Sequence, residues 1–283
     1  VIAMAGDDIR IARAGFMMIH NTWVMAAGDR HAMREVADWL EPFDAAAVAP
    51  GSLDLEEFRA GVIPVTSGMG VITRFSESVA DICVSLGMDA FVTDGHDVSG
   101  LAEALSKDVD IFFMADDNEF IACNMRSGRY SNNSFSTAAG YVSALNGAAG
   151  GLIGRTVLVL GAGRVGSRAV SLLSARGASV VLADTDVRKA RAVAAANPGT
   201  AVEEDIRKAI ASNSLVINAS PAHVRSEDIA AGAIIASPGI PHTFDEEAYA
   251  KAVIIHDPLG IGVSVMAVQS ASFSRPEKRR CRR

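Results

Sequence analysis

Three glycines fall within six residues, Gly161-Ala162-Gly163-Arg164-Val165-Gly166, directly after the apolar run Thr156-Val157-Leu158-Val159-Leu160. That spacing suits one task, bringing backbone N–H groups at a helix start against an anionic ligand. The first glycine permits a tight turn and the second lets the main chain approach a pyrophosphate. The third lets helix and strand pack closely. Asp184 follows Gly166 by 18 residues, where a carboxylate accepts a hydrogen bond from a ribose 2′-hydroxyl. A carboxylate there repels a 2′-phosphate, so NAD is expected over NADP, with Arg188 pulling the other way. The expected cofactor-binding residues are Gly161, Gly163, Arg164, Val165, Gly166 and Asp184. Ser220, Pro221, Pro238 and Gly239 lie in loops after two later strands and are expected to line the nicotinamide and its ribose.

A second group of residues suits a cationic substrate. Asp116-Asp117-Asn118 follows the apolar run Val109–Met114, and at least one carboxylate is expected to bind an amine. An ordinary helix N-cap is the alternative for one of them. Ser67, among Gly68 and Gly70, sits in a loop whose backbone amides can hold a carboxylate or form a plain turn. Asp257 ends the last strand and either acts on substrate or caps the helix after Gly260. His96 and His256 also end strands, but structural or surface roles are commoner for histidine. None of these loops contains Lys, the base of many amine dehydrogenases; a carboxylate, water or an already neutral amine must serve.

The elements that must position these groups alternate β and α. Runs at Val62–Val65, Ala90–Thr93 and Val109–Met114 read as parallel strands, separated by helices at Phe75–Leu86 and Val98–Leu105. A long helix, Ser136–Ala149, leads to the hinge Gly150-Gly151. Strands then follow at Thr156–Leu160, Ser179–Ala183, Leu215–Asn218, Ala233–Ala236 and Val253–His256. Helices fall at Ser167–Ala175, Val187–Ala196 and Glu203–Ala211, and at a segment ending at Ala252 with Thr243 and Glu246 as a capping box. The fold class is α/β, a Rossmann dinucleotide-binding domain plus a smaller N-terminal α/β domain with a parallel sheet. The expected division is 1–60, helical and partly disordered; 61–150, substrate domain; 151–270, Rossmann domain; 271–283, a disordered basic tail. Helical spacing marks Ala26–Leu40, and the first 20 residues read as an extension or an oligomer arm, which admits a homodimer.

Composition narrows the class. Of 283 residues, 49% are hydrophobic and 21% charged, the balance of a globular chain. A formal charge of -7 argues against nucleic-acid partners. Cys83, Cys123 and Cys281 have neither disulfide nor metal-ligand spacing, no metal is expected, and no apolar run suits a membrane span. The expected setting is the cytoplasm.

Several segments together resemble the pyrrolysine synthases: Val62-Ile63-Pro64-Val65-Thr66-Ser67-Gly68, Phe75-Ser76-Glu77-Ser78, Met114-Ala115-Asp116-Asp117-Asn118, Asn132-Asn133, Pro238-Gly239-Ile240-Pro241 and Pro258-Leu259-Gly260-Ile261-Gly262. The resemblance covers about residues 61–270 and leaves residues 1–60 poorly matched. It implies a two-domain, NAD-dependent dehydrogenase whose substrate is lysine-Nε-3-methyl-D-ornithine. Hydride would leave the carbon bearing the terminal ornithine amine. The substrate's own α-amine would then attack the imine, expelling ammonia and closing the pyrroline ring of pyrrolysine. The resemblance implies Ser67, Ser78, Ala115, Asp116, Asn118 and Asn133 as substrate-binding residues and Asp116 and Asp257 as catalytic ones, Asp116 anchoring an ammonium. It would place Glu where this chain has Asp257. Two other readings stand beside it: a general NAD-dependent amino-acid or amine dehydrogenase, and a nucleotide-sensing protein without chemistry.

Overall fold

The computed structural model describes residues 54–68, 70, 74–239, 244–257 and 259–274. The segments read at 1–20 and Ala26–Leu40, Ile240-Pro241, Thr243, Pro258 and residues 275–283 of the basic tail lie outside the described residues, whereas Ala271 and Ser272, expected in that disordered tail, close the helix Gly260–Ser272. The described chain separates into two units, residues 54–136 with 262–274, and residues 137–261. The division falls after Ser136, inside the helix Asn133–Ala149, and not at the Gly150-Gly151 pair.

The first unit is a five-stranded sheet. Its strands are β1 (Arg59–Ile63), β2 (Asp89–Val92), β3 (Ile111–Ala115), β4 (Phe120–Asn124) and β5 (Tyr130–Asn132), in the order β2-β1-β3-β4-β5. β1 pairs in parallel with β2 and β3, as the βαβ alternation predicts, through the helices Phe75–Ser85 and Asp97–Ser106. β4 and β5 extend the sheet antiparallel, so the sheet is mixed. Those two strands escape a sequence reading because they are short, and their hairpin turns are polar segments that also suit helix starts. Residues 262–274 join this unit through buried polar groups. Asn124 Nδ2 donates to the Ser270 carbonyl at 2.8 Å, and the Ser131 and Ser270 hydroxyls lie 2.7 Å apart. Residues 262–270, expected with the Rossmann domain, thus belong to the other unit, through contacts some 140 positions away in sequence.

The second unit is a six-stranded, all-parallel sheet of β6 (Thr156–Leu160), β7 (Ser179–Ala183), β8 (Ala201–Val202), β9 (Leu215–Asn218), β10 (Ile234–Ala236) and β11 (Val253–Ile255). The order is β11-β10-β9-β6-β7-β8. Counted from β6, this is the 3-2-1-4-5-6 arrangement of a Rossmann fold, and the strand order reverses between β6 and β9. Burial on both faces explains the unbroken apolar reading of these strands: Val157, Leu158, Val159 and Ile217 are fully enclosed. Residues Leu158, Leu160, Val216 and Ile235 form one cluster with Phe244, Ala248 and Ile254.

Two helix starts differ from expectation because of capping. The helix read from Glu203 begins at Ile206, since the Asp205 side chain accepts the Lys208 N–H and caps it there. The helix Glu246–Lys251 is capped by Asp245, which accepts the Ala248 N–H at 2.9 Å. Glu246 is therefore its first residue and not the third residue of a capping box.

Candidate active site

The glycine turn between β6 and the helix Arg164–Ala175 is built as its spacing demands. Gly161 adopts φ +95°, and a Cβ there would stand 2.7 Å from the Ala219 carbonyl oxygen. A Cβ on Gly166 would stand 1.8 Å from the Gly161 carbonyl oxygen, so the helix approaches the turn more closely than any side chain allows. Gly163 is exposed, and a Cβ added there would meet nothing within 4 Å. As N-cap, Gly163 supplies no side chain to the first helical N–H groups, and the first turn holds no acidic residue. A helix start of this kind is a ready anion cradle. Arg164 and Val165 open that helix, the first exposed and the second half-buried.

Asp184 follows β7 beside this turn. One carboxylate oxygen accepts the Ala162 N–H at 2.6 Å, and the other accepts the Asp186 N–H at 2.7 Å. Arg188, the residue weighing towards NADP, lies 3.3 Å from Asp186 Oδ1 through its Nε. Across the switch point, β9 runs into Ala219-Ser220-Pro221 and β10 into Ser237-Pro238-Gly239. The two loops touch, since a Cβ on Gly239 would stand 2.4 Å from the Ser220 carbonyl oxygen. The structure thus gathers Gly161, Gly163, Gly166 and Asp184 on one side and Ser220 and Gly239 on the other, at the carboxyl ends of β6, β7, β9 and β10. Pro221 is exposed and Pro238 half-buried beside them.

At the end of β11, His256 and Asp257 are both buried. Asp257 Oδ1 accepts the N–H groups of Leu259 at 2.9 Å and Gly260 at 2.6 Å, so its carboxylate caps the helix Gly260–Ser272. Its main chain is held by Tyr141, whose hydroxyl donates to the Asp257 carbonyl and accepts the Asp257 N–H at 2.7 Å. Burial raises the carboxyl to about 7 despite these capping hydrogen bonds, which act the other way. Burial pushes the His256 imidazole below its ordinary range, and its Nδ1 lies 2.7 Å from the Ser237 carbonyl. A carbonyl only accepts, so Nδ1 carries the proton.

The first unit holds a cavity of about 270 Å³ at the carboxyl ends of β1 and β3. Ile63, Val65, Phe75, Ala115 and Phe120 form its apolar walls, with Phe75 and Phe120 edge to face at 5.3 Å. Ser67, Ser76, Asn133, Asp116 and Asp117 form its polar side. The acidic segment is the β3–β4 hairpin turn and not a helix start. Asp116 Oδ1 accepts the N–H groups of Asn118 at 2.7 Å and Glu119 at 2.8 Å, which fixes its carboxylate at the mouth. Asp117 lies over the loop after β1: a Cβ on Gly68, at φ +69°, would stand 2.2 Å from its Oδ2. Asp97 anchors the same loop, accepting the Thr66 N–H at 2.9 Å and its hydroxyl. These bonds to Thr66 hold the Asp97 carboxyl below its usual range.

Of the residues expected to meet substrate, Ser67, Ala115, Asp116 and Asn133 therefore come together at one cavity. Asn118 is exposed in the hairpin turn, and Ser78 is buried in the helix Phe75–Ser85, where its neighbour Ser76 lines the cavity instead. Asp117, the second carboxylate of the acidic segment read from the sequence, lines the same cavity. Phe120 and the anchor Asp97 are additions from the structure; they carry no local signal, because the pairing of β4 with β3 and of β2 with β1 brings them in.

Fold and glycine turn together define a Rossmann-type, dinucleotide-binding protein of the dehydrogenase class. Residues 157–236 match the family described as "Saccharopine dehydrogenase NADP binding domain". Two solved structures share the fold. Quinate dehydrogenase from Corynebacterium glutamicum in complex with NAD has TM-score 0.53 and 13% identity, over 77% of this chain and 93% of that one. Shikimate 5-dehydrogenase from Thermus thermophilus in complex with NADP(H) and shikimate has TM-score 0.52 and 17% identity, over 78% and 95%. At those identities the likeness concerns the fold alone.

Residues 27–131 match the family described as "Pyrrolysine biosynthesis protein PylD, N-terminal domain", a match that starts well before Gly61. Pyrrolysine synthase of Methanosarcina acetivorans is 33% identical over 219 residues, 74% of this chain and 80% of the relative. That of Methanosarcina barkeri (strain Fusaro) is 33% identical over 220 residues, 74% and 79%. The chain belongs to the pyrrolysine synthase family.

Proposed function

We propose that this chain is an NAD-dependent dehydrogenase that oxidises the terminal amine of lysine-Nε-3-methyl-D-ornithine and releases pyrrolysine after ring closure. The observation that carries this reading is the cavity of the first unit, whose lining combines the carboxylates of Asp116 and Asp117 with the apolar side chains of Ile63, Phe75 and Phe120. Such a cavity favours an ammonium on an aliphatic stem. The carboxylates supply the counter-charge, and Phe75, Phe120 and Ile63 take the carbon chain.

Bound NAD supplies the hydride acceptor. The glycine turn and the uncapped helix start suit its pyrophosphate, and Asp184 suits a free ribose 2′-hydroxyl better than a phosphate. The pairing of Arg188 with Asp186 also favours NAD, since it offsets that nearby cation. Loss of hydride and a proton converts the primary amine to an imine. The α-amine of the same ornithine moiety then adds to the imine carbon, and ammonia leaves. A five-membered closure within one molecule needs little more than positioning. Asp116 is assigned the ammonium anchor. Asp257, held near neutrality by burial, is assigned a proton-holding role at the end of β11.

The test is direct. Protein, NAD⁺ and lysine-Nε-3-methyl-D-ornithine are incubated together. NADH absorbance and a product lighter by one ammonia and two hydrogens are expected. Absence of both would refute the reading. NADH formation from simple amines at equal efficiency would favour a general amine dehydrogenase instead. A soluble, cytoplasmic enzyme follows from this reading; among the described residues no helix is long and apolar enough to cross a membrane.

A further inference from the structure

The ends of β9, β10 and β11 carry a buried polar chain that neither the glycine turn nor the acidic cavity uses. Asn218, the last residue of β9, is fully buried and paired in register with Leu160, the last residue of β6. It therefore stands at the reversal of strand order. Its side-chain amide donates to Ser237 Oγ at 3.3 Å, and its Oδ1 accepts the Ser220 N–H at 3.3 Å. Its main-chain carbonyl accepts the Gly239 N–H at 3.1 Å. One residue thus ties the loop after β9 to the loop after β10. Ser237 is gripped at three points. Its hydroxyl meets Asn218, its N–H donates to the Ile255 carbonyl at 2.8 Å, and its carbonyl accepts from His256 Nδ1 at 2.7 Å.

We infer that Asn218, Ser237 and His256 form a positioning network that holds the Ser220 and Gly239 backbones in the arrangement a dinucleotide needs. The inference rests on the dinucleotide half of the function proposed above. The physical argument concerns rigidity. Loops at strand ends have few partners of their own, and a ligand that must order them binds more weakly by that ordering entropy. Here side chains from the strands supply the order beforehand. The two backbones also approach closely at Gly239, where a Cβ would stand 2.4 Å from the Ser220 carbonyl oxygen. Solvent cannot replace these bonds, because all three side chains are buried.

The network makes a measurable demand on cofactor affinity, separable from general stability. NADH binding is titrated by fluorescence, without substrate, on the full chain and four variants. Asn218→Ala should raise the NADH Kd about tenfold, since both side-chain ties are lost. Ser237→Ala should raise it several-fold, and Ser237→Thr, which restores the hydroxyl, should return it towards the parent value. Asn213→Ala serves as control. Asn213 is also buried, but its amide bonds the Ala209 carbonyl within its own helix end, away from these loops. That variant should lose stability and keep its Kd.

Equal Kd values for the parent, Asn218→Ala and Ser237→Ala would overturn the inference, as would Asn213→Ala raising the Kd as much as Asn218→Ala. If Asn218→Ala does not fold, the Ser237→Ala and Ser237→Thr pair decides, and identical Kd values for that pair overturn it. The readout is binding alone, so failure of the amine reaction, with NADH binding intact, counts against the proposed function and not against this network.

Discussion

The Asp184 carboxylate accepts the backbone N–H of Ala162 at 2.6 Å, closing 22 residues of chain on themselves. The acid expected to read the ribose is thus also a strut of the glycine turn. Truncation to Ala would confuse the two roles, whereas Asp184→Asn removes the charge and keeps an oxygen for Ala162, giving up the bond from the Asp186 N–H. The ratio of NADP to NAD dissociation constants is expected to fall about tenfold in Asp184→Asn, a change of about 1.4 kcal/mol. Titration of both cofactors against both proteins checks this. An unchanged ratio, or equal binding of the two cofactors by the parent protein, removes Asp184 from cofactor choice.

Gly166→Ala tests the closeness of helix and strand. The added methyl would stand 1.8 Å from the Gly161 carbonyl oxygen, so backbone must move. Overpacking against backbone costs about 3 kcal/mol. Urea unfolding should show a loss of that order together with weaker NADH binding. Parent-like stability would mean that the turn is looser than described.

In the acidic cavity, charge can be separated from turn geometry at Asp116. Asp116→Asn retains an oxygen for the Asn118 and Glu119 N–H groups, so the hairpin turn should persist. Loss of a charge-assisted bond to an ammonium is worth about 1.5–3 kcal/mol. We therefore expect kcat/KM for the lysine–ornithine conjugate to drop by one to two orders of magnitude, with NADH affinity unchanged. Turnover equal to that of the parent would exclude Asp116 from the site.

Asp257 predicts a pH dependence whose sign follows from its burial. Its carboxyl lies at about 7, raised from an ordinary 3.8, so the folded protein holds that proton more tightly than the unfolded chain does. The associated stability is complete below pH about 4 and is lost as pH rises to about 7, at up to about 1.4 kcal/mol per unit. Asp257→Asn keeps an oxygen for the Leu259 and Gly260 N–H groups and cannot ionise. Relative to the parent, the variant should gain stability as pH rises from about 5 to about 8. Comparing the two proteins cancels the carboxyls held low by hydrogen bonds, such as Glu103 and Asp228, whose dependence has the opposite sign. Parallel stability curves for the two proteins over that range would contradict the assignment.

Much of the second unit was legible residue by residue. Thr156–Leu160, Ser179–Ala183, Val187–Ala196 and Leu215–Asn218 fall where pattern alone places them. Strands buried on both faces read as apolar runs, and glycines and caps end the helices between them. The glycine turn with Asp184 was legible too, since a pyrophosphate cradle depends on spacing within one βαβ segment. In the first unit, Ser67 and Asp116 were readable as loop residues after parallel strands, whereas Ala115, expected in the same loop, is the last residue of β3 and pairs with Phe120.

Other features depended on pairings between distant parts of the chain. Sequence could not show that Asp116 sits in a β-hairpin, because β4 and β5 are strands by virtue of their partners more than their composition. The same holds for residues 262–274, drawn to the first unit by the Ser131–Ser270 and Asn124–Ser270 bonds. Asn218 is the sharpest case. By itself it is a polar residue ending an apolar strand, a pattern compatible with a cap, a turn or a ligand contact. Its role as a tie between two loops exists only once β9 and β10 lie side by side. Local chemistry and periodicity travel with the sequence; the partners of a buried polar group are set by topology.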